Sequence, residues 1–206
     1  MRKNLASVVV LFFSVVVMIG CSEPAKTVQA SNEHSVSPEP VLAKTAFWAA
    51  YKAAYSWSND ALPLKLESKS LSGIKNEEGR AAMWTATFGS VRRKQALEIS
   101  YAVVAQAPDV VKGLNISNPV PWSGPTREVM SFQGSEIVDS DAAYKKAAAE
   151  AQSWLKTHPD KQVSLLLGNN PTAFSSPVWY VVWGDKKVGY RAFVNAKTGE
   201  VAKPLK

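Results

Sequence analysis

The chain contains two stretches that resemble each other, and this internal repetition constrains its fold more than any other feature. The helical pattern of residues 46–57 recurs in residues 143–154, which lie 97 positions later. A Trp-x-x-x-aromatic-Gly motif follows each stretch and begins at Trp84 and at Trp179, which are 95 positions apart. A difference of two residues in a connecting loop accounts for the change in spacing. The sequence therefore predicts that one structural unit is present twice.

Each copy has the pattern of one amphipathic helix followed by three short strands. Apolar residues recur at three- and four-residue steps in the helical stretches, and apolar and polar residues alternate in the strands. Thr45 is the predicted N-cap of the first helix. The predicted helices span residues 44–57 and 140–156, and the predicted strands span residues 64–68, 82–88, 97–103, 163–167, 178–183 and 189–195. A helix on an antiparallel sheet is an α+β arrangement, so we expect an α+β fold of two tandem helix-plus-three-strand units packed together.

The predicted boundaries divide the chain into five segments. The first αβββ repeat covers residues 43–104, an irregular connecting segment covers residues 105–138, and the second repeat covers residues 139–206. Prolines and glycines in the connecting segment exclude a long helix, so we expect it to lie over the surface. The predicted strand at residues 178–183 is apolar on both faces. We therefore expect the other repeat or the connecting segment to cover its second face.

The first 20 residues have the pattern of a signal peptide. Arg2 and Lys3 precede an uncharged apolar run of about 15 residues, which is short for a membrane span of about 20. Gly20-Cys21 ends this run and resembles the lipobox of bacterial lipoproteins. The resemblance implies cleavage before Cys21 and attachment of lipid, such as palmitate, to its thiol. A signal peptide with an incidental cysteine and an uncleaved anchor are the alternatives.

Residues 21–42 are predicted to form a lipidated, disordered tether. This segment is rich in Pro and Ser and has few large apolar residues, so it cannot bury enough surface to offset the entropy of ordering. Ser22 is not the Asp that resembles an inner-membrane retention signal. We therefore expect the protein in the outer membrane, facing the periplasm, of a Gram-negative cell, and otherwise on the outer face of the cell membrane.

The second copy resembles the PepSY family. The features that carry the resemblance are an alanine-rich helix from Ser140, an aromatic strand at residues 177–182, and a strand at residues 190–201 that ends in the turn Thr198-Gly199-Glu200. The first copy lacks such a turn, so its place in the family depends on the internal match alone. The resemblance implies a PepSY-like or cystatin-like helix-plus-sheet unit that is extracytoplasmic and non-catalytic. Some members occur in propeptides of thermolysin-like peptidases and are linked to inhibition.

The sequence offers little catalytic chemistry. His34 lies in the tether and His158 at a helix end, and neither has partners at metal-ligand spacing. No Gly-x-Ser-x-Gly motif and no glycine-rich phosphate loop are present. The basic residues are spread out, and the formal charge of +7 is too low to indicate nucleic-acid binding. We therefore expect no enzymatic activity, no metal and no cofactor.

The candidate partner surface consists of Trp122, Arg92, Arg93, Lys186 and Lys187. The basic pairs lie in equivalent predicted hairpins, and two basic tips on one side of the molecule would contact lipid headgroups or an acidic partner. Solvated turns are the alternative interpretation. Trp122 lies outside the repeat, whereas the tryptophans at matched positions are expected to pack in the core. These matched residues are Trp57, Trp84, Trp154 and Trp179.

The predicted function is that of a membrane-anchored envelope lipoprotein that binds a protein or an envelope component without catalysis. The alternative is an inhibitor or regulator of an exported, thermolysin-like peptidase. The predicted partners are the membrane, through the lipid on Cys21, and an envelope protein or peptidase.

Overall fold

The computed structural model describes residues 38–127, 129–185 and 188–205. Within these residues it has two- to eight-residue strands and three α-helices, and a 3-10 turn at Gly134–Glu136 precedes the second helix. In chain order the elements are β1 (Val41–Leu42), α1 (Ala43–Trp57), β2 (Leu62–Lys69), β3 (Arg80–Ala81), β4 (Met83–Ser90), β5 (Gln95–Ala102), β6 (Gly113–Ile116), β7 (Val120–Pro121), α2 (Ser140–Glu150), α3 (Gln152–Thr157), β8 (Val163–Gly168), β9 (Val178–Trp183) and β10 (Tyr190–Asn195).

One antiparallel sheet organises the fold. Its strands lie in the order β10-β9-β8-β2-β4-β5-β6, and β7 pairs with β5. Strands β2, β4 and β5 form one meander, and β8, β9 and β10 form a second. The two meanders join where residues 65–67 of β2 pair with residues 166–168 of β8. The predicted α+β class with antiparallel strands is confirmed, and the sheet is continuous through both halves.

Both helices contribute to one hydrophobic core. Helix α1 packs on β2, β4 and β5, and α2 packs on β9 and β10. Alanines dominate the contact positions of both helices, which allows a close approach to the sheet. The buried residues of both helices and of the sheet face beneath them form a single cluster. The residues that the structure describes accordingly form one compact unit.

Each half uses a tryptophan to hold the chain that leads into its helix. The indole N–H of Trp84 donates to the carbonyl oxygen of Val41 at 2.9 Å, and that of Trp179 donates to the carbonyl oxygen of Val138 at 3.2 Å. Both valines lie two residues before the first residue of their helix. Each half thus has a helix, three antiparallel strands of the large sheet and one of these two bonds, while β1 and β3 are additional in the first half and α3 is additional in the second. That the halves are copies of one unit stays a prediction.

Helix α1 does not use its predicted cap. It begins at Ala43, before Thr45, and no side chain of its own N-cap residue bonds to it. Instead, the Ala43 N–H donates to the hydroxyl of Ser140 at 2.9 Å, and the Lys44 N–H donates to Oδ1 of Asp139 at 3.0 Å. The same Oδ1 accepts the N–H of Ser140 at 2.7 Å. Two adjacent residues therefore satisfy backbone donors of both helices.

The connecting segment is less irregular than its composition indicates. Strands β6 and β7 lie within it and pair with β5, so the segment extends the sheet at its edge. Pro121 ends β7. Proline excludes helix here but is tolerated in an edge strand, because its missing N–H is not needed for a further ladder.

Candidate binding surface

The face of the sheet opposite the helices is polar in the first half of the molecule. Side chains alternate between the two faces of a strand, so Lys65, Glu67, Thr85, Glu98 and Ser100 point away from the core. The hydroxyls of Thr85 and Ser100 lie 3.1 Å apart and bond across β4 and β5, and both residues are buried. The carboxylate-bearing Glu98 is exposed. This surface, together with its continuation on β8 to β10, is named the open face below.

Glu67 lies on the open face where the two halves meet. It pairs with Leu166 across the junction of β2 and β8. Its Oε1 lies 3.2 Å from Nζ of Lys65 and also forms an ion pair with Lys69. Burial alone would raise the pKa of Glu67, but the hydrogen bond from Lys69 and the charge of Lys65 outweigh it and leave the pKa lowered. The junction therefore presents a compensated cluster of charges.

The open face becomes aromatic in the second half. Phe174, from the loop between β8 and β9, packs edge-on against Tyr180 with ring centroids 5.7 Å apart, and it also contacts Phe193. Tyr180 in turn meets Phe193 at 5.4 Å. Burial raises the pKa of Tyr180. A loop of its own half thus covers the second face of β9 at Tyr180, and Val129 of the connecting segment, which the sequence indicated as a cover, lines a pocket beside Tyr180.

A small pocket marks the boundary between the polar and aromatic parts. Its volume is about 190 Å³. The residues that line it are Leu64, Lys65, Val129, Leu166, Gly168, Asn169, Asn170 and Tyr180. Pockets that hold drug-sized ligands or cofactors are typically about 300–1,000 Å³. The pocket is therefore better suited to one side chain of a protein partner than to a cofactor.

The basic turn between β4 and β5 has a fixed backbone and exposed side chains. The Arg92 N–H donates to Oδ2 of Asp60 at 2.9 Å, and the Arg93 N–H donates to the hydroxyl of Ser90 at 3.0 Å. The Arg93 guanidinium lies 5.4 Å from the ring centroid of Trp57. Both arginines are exposed. The turn therefore holds two cations in water beside the last residue of α1.

Asp60 connects α1 to this turn, and it is not among the residues predicted from the sequence. Its Oδ1 accepts hydrogen bonds from the hydroxyls of Ser58 at 2.6 Å and Ser90 at 2.7 Å, and both serines are buried. These two bonds and that from the Arg92 N–H hold the pKa of Asp60 far below its ordinary value. The Ser-x-Asp spacing after the helix was the available local signal.

The two basic turns do not lie on one side of the molecule. The β4–β5 turn is beside the first residue of β2, because Leu62 pairs with Gly89. The β9–β10 turn is beside the first residue of β8, because Val163 pairs with Trp183. Since β2 and β8 are antiparallel, their first residues lie at opposite ends of the sheet. The expectation of two basic tips on one side is therefore wrong.

Trp122 packs against the sheet. Its backbone N–H donates to the carbonyl oxygen of Lys94 at 2.9 Å. Its indole ring lies over Gly89, where an added Cβ would approach the ring to 2.5 Å. The side chain is half-buried. Trp122 thus has a packing role, and its contact with a partner stays a prediction.

The matched tryptophans occupy the core as predicted. Trp84 and Trp179 are fully buried, and Trp57 and Trp154 are half-buried against the same cluster. His158 stacks on Trp154 with ring centroids 4.1 Å apart. The interpretation of these tryptophans as packing residues is confirmed.

Three of the predicted site residues, Cys21, Lys186 and Lys187, lie outside the described residues, as do the signal peptide, His34 and the tether up to residue 37. Within the part of the chain that the structure describes, no three His, Cys, Asp or Glu side chains lie close enough to share a metal ion. No helix in that part is long and apolar enough to cross a membrane.

Comparisons with known proteins give little similarity. No protein-family model matches the sequence, and no curated protein matches it as a relative. Among solved structures, the chain is similar to the crystal structure of a "putative lipoprotein" from Clostridium difficile 630, with 13% sequence identity and a TM-score of 0.47. The match covers 78% of this chain and 91% of that chain. We draw nothing further from a similarity of this size, and the PepSY resemblance stays a prediction.

Proposed function

We propose that this chain is a lipid-anchored envelope protein whose folded part binds a protein partner, without catalysis, through the open face. The observation that carries the proposal is the division of the sheet: one face holds the helices and core, and the other presents an ordered surface. That surface combines the charges around Glu67, half-buried side chains such as Thr87 and Val182, and a pocket the size of one side chain. Apolar centres with polar surroundings are typical of protein interfaces.

Two substitutions on the open face test the partner surface. Thr87 and Val182 are half-buried and point away from the helices in the first and second half. Thr87→Arg and Val182→Glu place charges where a partner would bury them, which is costly without a compensating charge. The matched control is Ala149→Glu, an exposed position on α2.

The experiment is a pull-down from envelope extract with each purified full-length variant. We expect a partner that wild type and Ala149→Glu retain and that both open-face variants lose, with unchanged circular dichroism. Retention of every partner by both open-face variants would contradict the proposal. Inhibition of an exported thermolysin-like peptidase by wild type, but not by Val182→Glu, would identify the partner as a peptidase and the function as its regulation.

The anchor rests on the lipobox-like residues before Cys21. Acyl chains contribute about 0.8 kcal/mol for each buried methylene, so several chains on one thiol hold a protein firmly to a membrane. We expect metabolic incorporation of palmitate into wild type and none into Cys21→Ser. The labelled protein should fractionate with the outer membrane of a Gram-negative host and otherwise with the cell membrane. Equal labelling of both proteins would contradict the anchor.

A further inference from the structure

Helix α1 presents an unusual outward face. Lys44, Trp48, Lys52 and Tyr55 follow one another at spacings of four, four and three residues, which places them along one side of a helix. This side is opposite to the one that Ala46, Ala50 and Ala54 bury against the sheet. Trp48 is 40% exposed and Tyr55 is 55% exposed. Cations and large aromatic rings therefore alternate along the solvent side of the helix. We name these four residues the outer face of α1.

The rings on this side are held by one another. Tyr51, which is half-buried beside the outer face, meets Trp48 edge-on with centroids 5.7 Å apart, and meets Tyr55 at 6.4 Å. Tyr51 is fixed in turn by its contact with the buried Phe88 at 6.1 Å. The exposed rings are thus supported from the core, and little side-chain entropy is lost when they bind.

No acidic residue of α1 interrupts the outer face, and the carboxylate at its N-terminal end, that of Asp139, accepts the backbone N–H groups of Lys44 and Ser140. Helix α1 contains two lysines and neither Asp nor Glu. At its last residue, Trp57, the exposed Arg93 adds a cation, and Val91 in the same turn is 53% exposed. The carboxylate of Asp60, in the loop between α1 and β2, accepts hydrogen bonds from Ser58, Ser90 and the backbone N–H of Arg92.

The corresponding helix of the second half shows that the fold does not require such a surface. The exposed positions of α2 carry two carboxylates and one cation, Asp141, Glu150 and Lys145, together with Ala142 and Ala149. The large hydrophobic residues of α2 and α3 are all half-buried, and none of them is exposed. Exposed rings on α1 therefore need an explanation other than packing.

We propose that the outer face of α1 docks on an anionic lipid surface. Trp and Tyr favour the membrane–water interface, because their rings are apolar at one end and polar at the other. Lysines near an anionic leaflet are attracted to it, and each contributes roughly a fivefold gain in binding. The docked helix would lie along the surface with Lys44 and Lys52 at the headgroups and the rings of Trp48 and Tyr55 below them.

The lipid on Cys21, which is part of the proposed function, holds the protein at the membrane and so favours such docking. The inference rests on that proposed lipid anchor. The first residue of α1, Ala43, lies only 22 positions after Cys21. A chain of that length reaches at most about 75 Å, so a lipidated Cys21 keeps the outer face of α1 close to the bilayer. Docking is then intramolecular, and modest affinity for lipid is sufficient.

The test uses full-length protein reconstituted in phosphatidylcholine vesicles with or without phosphatidylglycerol. Tyr55→Cys carries an environment-sensitive dye, and Ala149→Cys on α2 is the matched control. With phosphatidylglycerol, we expect the dye at position 55 to shift to shorter wavelength and to be quenched by brominated lipid, and the dye at position 149 to do neither. Lys44→Ala with Lys52→Ala should lower the ratio of docked to undocked protein about thirtyfold.

The same experiment separates failure of the anchor from failure of docking. Cys21 is the only cysteine, so wild-type protein that takes up dye has an unlipidated thiol. If wild type resists the dye and positions 55 and 149 still behave alike in both vesicles, the docking proposal is overturned. Retention of the protein on purified anionic cell-wall polymer, lost in the double lysine variant and without any response to vesicles, would also overturn it and assign the face to the polymer.

Discussion

Trp84 and Trp179 meet edge to face in the middle of the core, with ring centroids 6.3 Å apart and ring planes at 74°. Each belongs to a different half, and each donates its indole N–H to the carbonyl that precedes its own helix. Both rings are fully buried. The contact therefore joins the two halves at equivalent points, and neither half has a core that is complete without the other.

Removal of either ring should destabilise the whole molecule to a similar extent. Trp→Ala in a core costs about 3–5 kcal/mol, and an aromatic pair adds about 0.5–1.5 kcal/mol beyond burial. We expect Trp84→Ala and Trp179→Ala each to lower the free energy of unfolding in urea within the first range, with a coupling energy in a double-mutant cycle within the second. Separate unfolding transitions for the halves, or zero coupling, would contradict a shared core.

The cap that Ser140 provides for α1 should contribute more to stability than Thr45, the cap predicted from the sequence. Ser140→Ala removes the acceptor of the Ala43 N–H and leaves a buried donor of α1 unpaired, which costs about 1–2 kcal/mol. Thr45→Ala is the control, since Thr45 is exposed and does not cap the helix; its effect should stay within about 0.5 kcal/mol. Chemical denaturation measures both. If Thr45→Ala lowered the free energy of unfolding as much as Ser140→Ala, Thr45 would be the cap of α1 after all.

Asp60 should make stability fall in acid. Its folded pKa is lowered from an ordinary value of 3.8, so its contribution is present above that pH and is lost as the pH falls below it. We expect Asp60→Asn to be less stable than wild type at neutral pH, and the difference to shrink as the pH falls from 5 toward 2. Asp109→Asn, at an exposed position, is the control. A difference that does not change with pH would show that the charge of Asp60 contributes nothing.

Gly89 and Trp122 should behave as a packed pair. A Cβ at position 89 would enter the space of the indole ring, so Gly89→Ala should cost about 1–3 kcal/mol. Combining it with Trp122→Ala should recover part of that loss, because the obstructing ring is gone. Thermal unfolding of the two single variants and the double variant tests this. Additive losses would mean that the ring does not pack on Gly89.

The parts of the fold that depend on local patterns were predictable. The apolar spacing around Trp84 and Trp179 predicted buried strands, because residues that face a core must recur with the period of the strand. The cap from Asp139 and Ser140 was not predictable, since it joins positions 97 residues apart. The prediction that both basic turns lie on one side was wrong for the same reason. Their positions depend on the antiparallel junction of β2 and β8, which no local pattern specifies.

The central claim is that the open face is the surface that meets the partner, and photo-crosslinking in living cells tests it most directly. A photoreactive amino acid would replace Thr87 or Val182 on the open face, or Ala149 on α2. The account predicts the same crosslinked partner from positions 87 and 182 and none from position 149. A partner captured from position 149 with nothing captured from the open face would contradict it.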